Sequence, residues 1–229
     1  MLLFALLSAA VAPGVSLLTY LYLRDRYDSE PIHIVVRMFI LGLVIVIPIM
    51  VIQRGLQLLL GDASLLFAYV ESAGVEEFFK WFVLYHFIYH HAEFDEPYDS
   101  ILYAAAISLG FATMENIMYA VFSSSSFTVM IGRALLPVSG HAIFGIMMGY
   151  YMGKAKFTSK TRYYLLISFL LPVFLHGTYD MILISVKANW FWFAIPFMIM
   201  LWIWGVKKMD RAHARSPYRL LTREDEVNL

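Results

Sequence analysis

Residues 36–60 read VRMFILGLVIVIPIMVIQRGLQLLL, and between Arg37 and Arg54 no residue is charged. A helix needs about 20 mostly apolar residues to cross a bilayer. Val36–Leu60 meets that length, and it is not alone. To either side, Leu2–Leu23, Ser64–Tyr89, Ser100–Phe122, Thr128–Gly153, Tyr163–Val186 and Trp190–Val206 also qualify. The whole chain is 61% hydrophobic and 15% charged, against roughly 45–50% and about 25% in soluble domains. Alternating apolar–polar segments of about 10 residues, the mark of an outer-membrane barrel, are missing. The first stretch lacks a basic n-region and is too long for a signal peptide, so it reads as a retained span. The expected fold is all-α: a polytopic membrane bundle of about seven transmembrane helices.

Lys and Arg mark the cytoplasmic side. Arg24 and Arg26 lie in the first connector, and Lys154, Lys156, Lys160 and Arg162 lie around 154–162. Lys207, Lys208, Arg211, Arg215, Arg219 and Arg223 come after the last span. The alternate connectors 61–63, 123–127 and 187–189 hold only Lys187. With seven spans, every basic connector falls on one side, which puts the amino terminus outside and the carboxyl terminus in the cytoplasm. The chain then divides into one integral-membrane domain, 1–208, and a charged cytoplasmic tail, 209–229. The acidic connector HHAEFDEPYD, His90–Asp99, lies inside; its histidines are possible metal ligands, and a solvated loop is the favoured reading. A net charge of zero argues against a nucleic-acid partner. The absence of cysteine excludes disulfides, Cys-ligated metals and a cysteine nucleophile.

An ionisable side chain within a span costs roughly 3 kcal/mol on insertion scales and marks function when several converge. Span three carries Glu71, Glu76, Glu77, Lys80 and His86; span four carries Glu115 beside Asn116. Arg133 and His141 lie on span five, His176 and Asp180 on span six, and Arg54 on span two. Glu76 and Lys80 are i, i+4, the favourable order for an ion pair. Glu77 points about 100° away from Glu76, so the two carboxylates have different roles. His176 and Asp180 share a face, and Phe111 can wall the same site one turn before Glu115. Glu76, Glu77 and His141 fall near mid-membrane, with Glu115 and Asp180 roughly 8–10 Å below the outer surface. Arg54 and Glu71 either join this layer or pair with each other, whereas His86 and Arg133 read as snorkelling or structural. Leu135-Leu136-Pro137-Val138-x-x-His141 is echoed by Leu170-Leu171-Pro172-Val173-x-x-His176, each placing a helix-breaking proline one turn before a histidine. Carboxylates with histidines activate water for hydrolysis, alone or with zinc. The same residue types also build a proton or cation pathway, so the residues alone leave hydrolase and transporter open.

Glu76-Glu77-x-x-Lys80, Phe111-x-x-x-Glu115, the isolated His141 and His176-x-x-x-Asp180, in that order, resemble the PrsW family of bacterial membrane proteases. The resemblance extends to about Lys208 and includes Phe94-Asp95-Glu96 and Leu135–His141. The related CAAX-processing and bacteriocin-immunity proteases typically show Glu-Glu-x-x-x-Arg and Phe-x-x-x-His. Here Lys80 stands one position before the arginine and Glu115 replaces the histidine, so their water-activating pair and prenylated substrate do not carry over. The resemblance implies a multi-pass endopeptidase of the bacterial cell membrane. Its implied substrate is a single-span anti-sigma factor, RsiW-like, cut first on its extracytoplasmic side to start release of a sigma factor under envelope stress.

The expected site is Glu76, Glu77, Lys80, Glu115, His141, His176 and Asp180. Glu76 or Glu77 serves as base, with Glu76 favoured because its i+4 lysine holds it ionised. His141 and His176 stabilise the oxyanion or bind a metal. Glu115, His141, His176 and Asp180 are the expected zinc ligands if a metal is present, and metal-free hydrolysis stays open. A carrier would show inverted repeats, which the lone proline–histidine echo does not supply. The apolar runs Ile101–Leu109 and Leu165–Leu170 suit a cytoplasmic seal beneath an outward-opening cavity.

Overall fold

Residues 2–61, 64–123, 126–186 and 189–219 are described in the computed structural model of the chain. Asp62, Ala63, Ser124, Ser125, Lys187 and Arg223 lie outside the described residues. Among the described residues all regular structure is helical. Helix α1 is Leu2–Leu23 and α2 is Ile32–Leu60. Helix α3 covers 64–87 in three joined pieces: an α-turn Ser64–Leu66, a π-helical stretch Phe67–Ser72 and an α-helix Ala73–Phe87. Helix α4 is Asp99–Phe122. Helix α5 is Phe127–Lys156, with a π-helical stretch Ala134–Val138 inside it. Helices α6 and α7 are Thr161–Ser185 and Phe191–His213.

Six of these helices are long and apolar enough to cross a membrane. The remaining one is α3, which carries the charges of Glu71, Glu76, Glu77 and Lys80. Two boundaries differ from the sequence expectation by four residues or more. Helix α2 begins at Ile32, where the carbonyl of Pro31 accepts the Ile34 N–H at 2.9 Å. Helix α7 runs past Val206 to His213 because Met209, Ala212 and His213 still turn inward. Past Val206 hydropathy fades while burial continues, whereas the extra turn of α2 is largely apolar, with Ile34 and Val35 buried and Ile32 exposed.

Contacts between connectors fix the ends of the bundle. Arg24 pairs with Asp210 at 2.8 Å, Lys156 donates to the His91 carbonyl at 3.3 Å, and the Tyr218 hydroxyl donates to Asp95 at 2.5 Å. The first connector, the acidic connector, the α5–α6 turn and the residues after His213 therefore gather at one end. The basic residues concentrate there, as the charge bias requires. Helix α2 ends at the opposite face, and α3 crosses back.

Helix α4 forms the centre, and every residue from Asp99 to Thr113 is buried. Helix α2 has two faces instead: Met38, Gly42, Ile45 and Ile49 turn inward, while Ile40, Val44, Ile47 and Val51 are exposed to lipid. The α2 and α4 backbones touch. A Cβ on Gly42 would collide with the Ile107 carbonyl, and one on Gly110 with the Phe39 carbonyl. Small residues allow this approach, which is how helices bind one another where lipid is as apolar as leucine. The buried half of α4 lies between the ionisable cluster and the end of the bundle where the basic residues gather.

Candidate active site

Two π-helical stretches stand on the approaches to the cluster, a common location for such distortions. Phe67–Ser72 precedes Glu76 and Glu77, and Ala134–Val138, which contains Pro137, precedes His141. Pro137 has no N–H to give the preceding turn. The echoed Pro172 lies within an α-helix without such a break, so the two histidines are delivered by different local structures.

At the centre, Lys80 Nζ donates to Glu77 Oε1 at 2.7 Å and lies 3.6 Å from Glu76 Oε2. The closer carboxylate is thus Glu77 rather than the i+4 Glu76. The i, i+3 geometry points both Lys80 and Glu77 into the bundle, where their side chains are fully buried. Lys80 also lies 3.0 Å from His141 Nδ1 and 4.2 Å from the centre of the Phe111 ring. Phe111 walls the site, as its spacing suggests. Glu77 Oε1 accepts a second contact at 3.0 Å from His176 Nδ1.

The outer edges of both imidazoles face carboxylates. His176 Nε2 is 3.6 Å from Asp180 Oδ2 and 3.9 Å from Glu76 Oε2, and His141 Nε2 is 3.3 Å from Glu115 Oε2. The His176 ring stacks on Phe144, with centroids 4.9 Å apart. A cavity of about 130 Å³ is lined by Glu76, Glu115, His141, His176 and Asp180, with Ser72 and Arg133 among its other walls. Glu77 and Lys80 lie behind this wall. All seven expected residues therefore enter one connected network, in an inner and an outer tier.

Three residues extend the expected set. The Gln53 side chain donates to Glu76 Oε1 at 3.1 Å, and the Ser72 hydroxyl donates to Asp180 Oδ2 at 2.7 Å. Arg133, which depth alone marks as snorkelling or structural, turns inward: Nε donates to Asn116 Oδ1 at 2.8 Å and Nη2 lies 3.6 Å from Glu115. The sequence signal for Gln53 is an uncharged polar residue that ends the apolar run 38–52. Its neighbour Arg54 is exposed and donates to Gln57 at 2.9 Å. Glu71 is buried without a hydrogen-bond partner for its carboxylate, so the pairing with Arg54 does not form.

A sequence model of the PrsW family, described as intramembrane metalloproteases, matches residues 30–205. Curated relatives called Protease PrsW include one from Geobacillus kaustophilus, 51% identical over 91% of this chain and 92% of its own. Others come from Bacillus subtilis, 47% identical over 92% and 97%, and Clostridioides difficile, 31% identical over 88% and 89%. No solved structure matches the chain. Together with the multi-pass bundle and its buried acid–imidazole cluster, these matches define a membrane-embedded peptidase. The chain belongs to the PrsW family. A carrier is not favoured.

The family description implies a metal, and the residues present can be tested against one. Oε2 of Glu76 and Oε2 of Glu77 are buried without a hydrogen-bond partner. One donor atom from each of Glu76, Glu77, His141 and His176 lies within 4.8 Å of the others. Carboxylate oxygen and imidazole nitrogen are ligands that zinc takes, so the set fits. It differs from the sequence expectation in bringing Glu76 and Glu77 into the closest group, with Glu115 and Asp180 set against the histidine edges. Among the described residues no other group of three or more such side chains brings its donor atoms within reach of one ion. His91 of the acidic connector instead accepts the Glu93 N–H at 3.2 Å.

Proposed function

We propose that this peptidase makes the first, extracytoplasmic cut in a single-span anti-sigma factor, RsiW-like, and so starts release of the sigma factor it restrains. The supporting observation is the depth of the cavity. Asp180 lies five residues and Glu115 seven residues before the outer ends of their helices, or about 8–10 Å at 1.5 Å per residue. Toward the opposite end lies the buried half of α4.

In this reading Glu76 is the general base. It lines the cavity, and Gln53 holds one of its oxygens while the other accepts no hydrogen bond. His141, His176 and Glu77 would hold a zinc-type ion, whose chemistry is Lewis-acid polarisation of a carbonyl and acidification of water. Asp180 and Glu115 fix the two imidazole rings, the usual task of carboxylates set against such histidines. Lys80 offsets the charge of Glu77 in the interior. Glu76 takes a proton from water as the water oxygen bonds to the scissile carbonyl carbon. It then delivers that proton to the departing nitrogen as the C–N bond breaks, leaving a carboxylic acid and an amine.

The experiment is cleavage of a purified single-span anti-sigma factor by the purified protein in detergent, without an ion gradient, with the new termini mapped. A cut on the extracytoplasmic side that Glu76→Gln abolishes is expected. Undiminished cutting by Glu76→Gln would overturn the assignment of the base. Gradient-driven uptake by liposomes with no proteolysis would overturn the whole reading.

A further inference from the structure

The cavity is too small for what it must process. A volume of about 130 Å³ holds about four waters at roughly 30 Å³ each. That accommodates a scissile carbonyl and a water, but not the flanking side chains of an extended peptide, which rises about 3.3 Å per residue. The neighbouring side chains must go elsewhere, and a second recess adjoins the cavity.

A groove of about 430 Å³ shares Arg133, Pro137, Tyr179 and Leu183 with the cavity and continues along Val129, Leu136 and Trp190. Ligand sites commonly range from 300 to about 1,000 Å³ with mostly apolar walls and a few placed polar groups. Arg133 supplies the polar group at the junction. Its contacts to Asn116 and Glu115 use part of a guanidinium that carries five N–H donors, so others remain for a peptide carbonyl. The groove also has room to spare: a Cβ on Gly132 would meet nothing within 4 Å.

We propose that this groove is the subsite for a large apolar side chain adjacent to the scissile bond of an unwound peptide, with Arg133 as a positioning residue on its backbone. The occupant is the substrate because the groove shares four lining residues with the catalytic cavity. The proposal rests on the peptidase reading, and it assigns that reading a side-chain preference.

The test is a series of single-span substrates in which residues on either side of the mapped cut are changed to Ala, Leu or Phe. Wild-type protein should favour Leu or Phe over Ala at one of these positions by about 10–200-fold in kcat/KM, the range that apolar pockets achieve. Gly132→Leu, which fills open space, should shrink that ratio at least 10-fold at the same position and no other. Gly55→Leu, at a glycine of α2 that also meets nothing within 4 Å, serves as control and should keep the wild-type ratio. If wild-type protein cuts the series without preference, or Gly132→Leu slows every substrate equally, the groove is no subsite and serves lipid chains or packing instead. If no substrate is cut at all, the peptidase reading fails first.

Discussion

Lys80 and Glu77 meet at 2.7 Å where neither side chain reaches solvent, while Glu76, one residue away, looks into the cavity. The adjacent carboxylates should therefore fail differently. Removing one partner of a buried ion pair costs about 3–5 kcal/mol, because the other charge is stranded. Glu77→Gln is expected to lower stability by that amount. Glu76→Gln should unfold close to wild type yet lose about 10²–10⁴-fold in cleavage, the usual contribution of a general base. Thermal unfolding in detergent, beside cleavage rates, separates the two; wild-type melting of Glu77→Gln would contradict the inner pair.

Gln53 reaches Glu76 from α2, a helix that contributes no carboxylate or imidazole to the cavity wall. Gln53→Leu is expected to reduce turnover about 10–100-fold, the cost typical of losing a group that orients a reacting residue. KM should change little. Arg54→Leu, at the exposed next position, should leave kcat at the wild-type value, and equal losses in both variants would indicate a general effect on α2.

Metal content gives a third outcome. Purified protein should carry about one zinc-type ion per chain, and His141→Ala and His176→Ala should each lose it. A ligand that binds only the folded state stabilises it by mass action. Chelator is thus expected to lower the thermal midpoint of wild type and leave that of His176→Ala where it is. A metal-free protein with full activity in chelator would remove the ion from the reaction.

At the cytoplasmic end, burial and neighbouring acids act on carboxylates outside the spans. Burial first, and Glu96 next, push the Asp25 carboxyl up to about 8; burial likewise raises Glu30 to about 7, and Glu96 is raised as well. Glu30 also accepts a hydrogen bond from Tyr103 on α4. A carboxyl whose folded pKa exceeds its unfolded value near 4 binds more protons folded than unfolded across the interval between them. Its contribution is full below pH 4 and is lost as pH rises through 7–8. The thermal midpoint should fall between pH 5.5 and pH 8.5, and Asp25→Asn should flatten that slope. A midpoint rising over the same interval would contradict the buried arrangement.

Energetic cost explains which residues the sequence discloses. Glu76, Glu77, Lys80, Glu115, His141, His176 and Asp180 stand out because charge in lipid is expensive, and all seven meet in one network. Gln53 and Ser72 do not, since an uncharged polar side chain within a span carries little penalty and no alarm. Arg133 escapes a depth count because counting residues gives the height of a Cα, not the point at which a long guanidinium arm ends. Of the π-helical stretches, Phe67–Ser72 leaves no compositional trace, and Ala134–Val138 leaves only Pro137, a signal that Pro172 repeats without the break. An extra residue in a helical turn rotates the downstream side chains to a new phase without altering their identity.

The narrowness of the 130 Å³ cavity has a consequence for timing. A helix with its side chains is about 10–12 Å across, so a membrane-spanning substrate cannot present its bond while still coiled. Uncoiling within lipid leaves backbone N–H and C=O groups without partners, at several kcal/mol for each; near the surface, water takes them up. The slow event would then belong to the substrate rather than to the enzyme. Chains whose helix loosens close to the outer surface, through a glycine or proline there, would be consumed first, and firmly wound neighbours in the same membrane would be spared by their own hydrogen bonds.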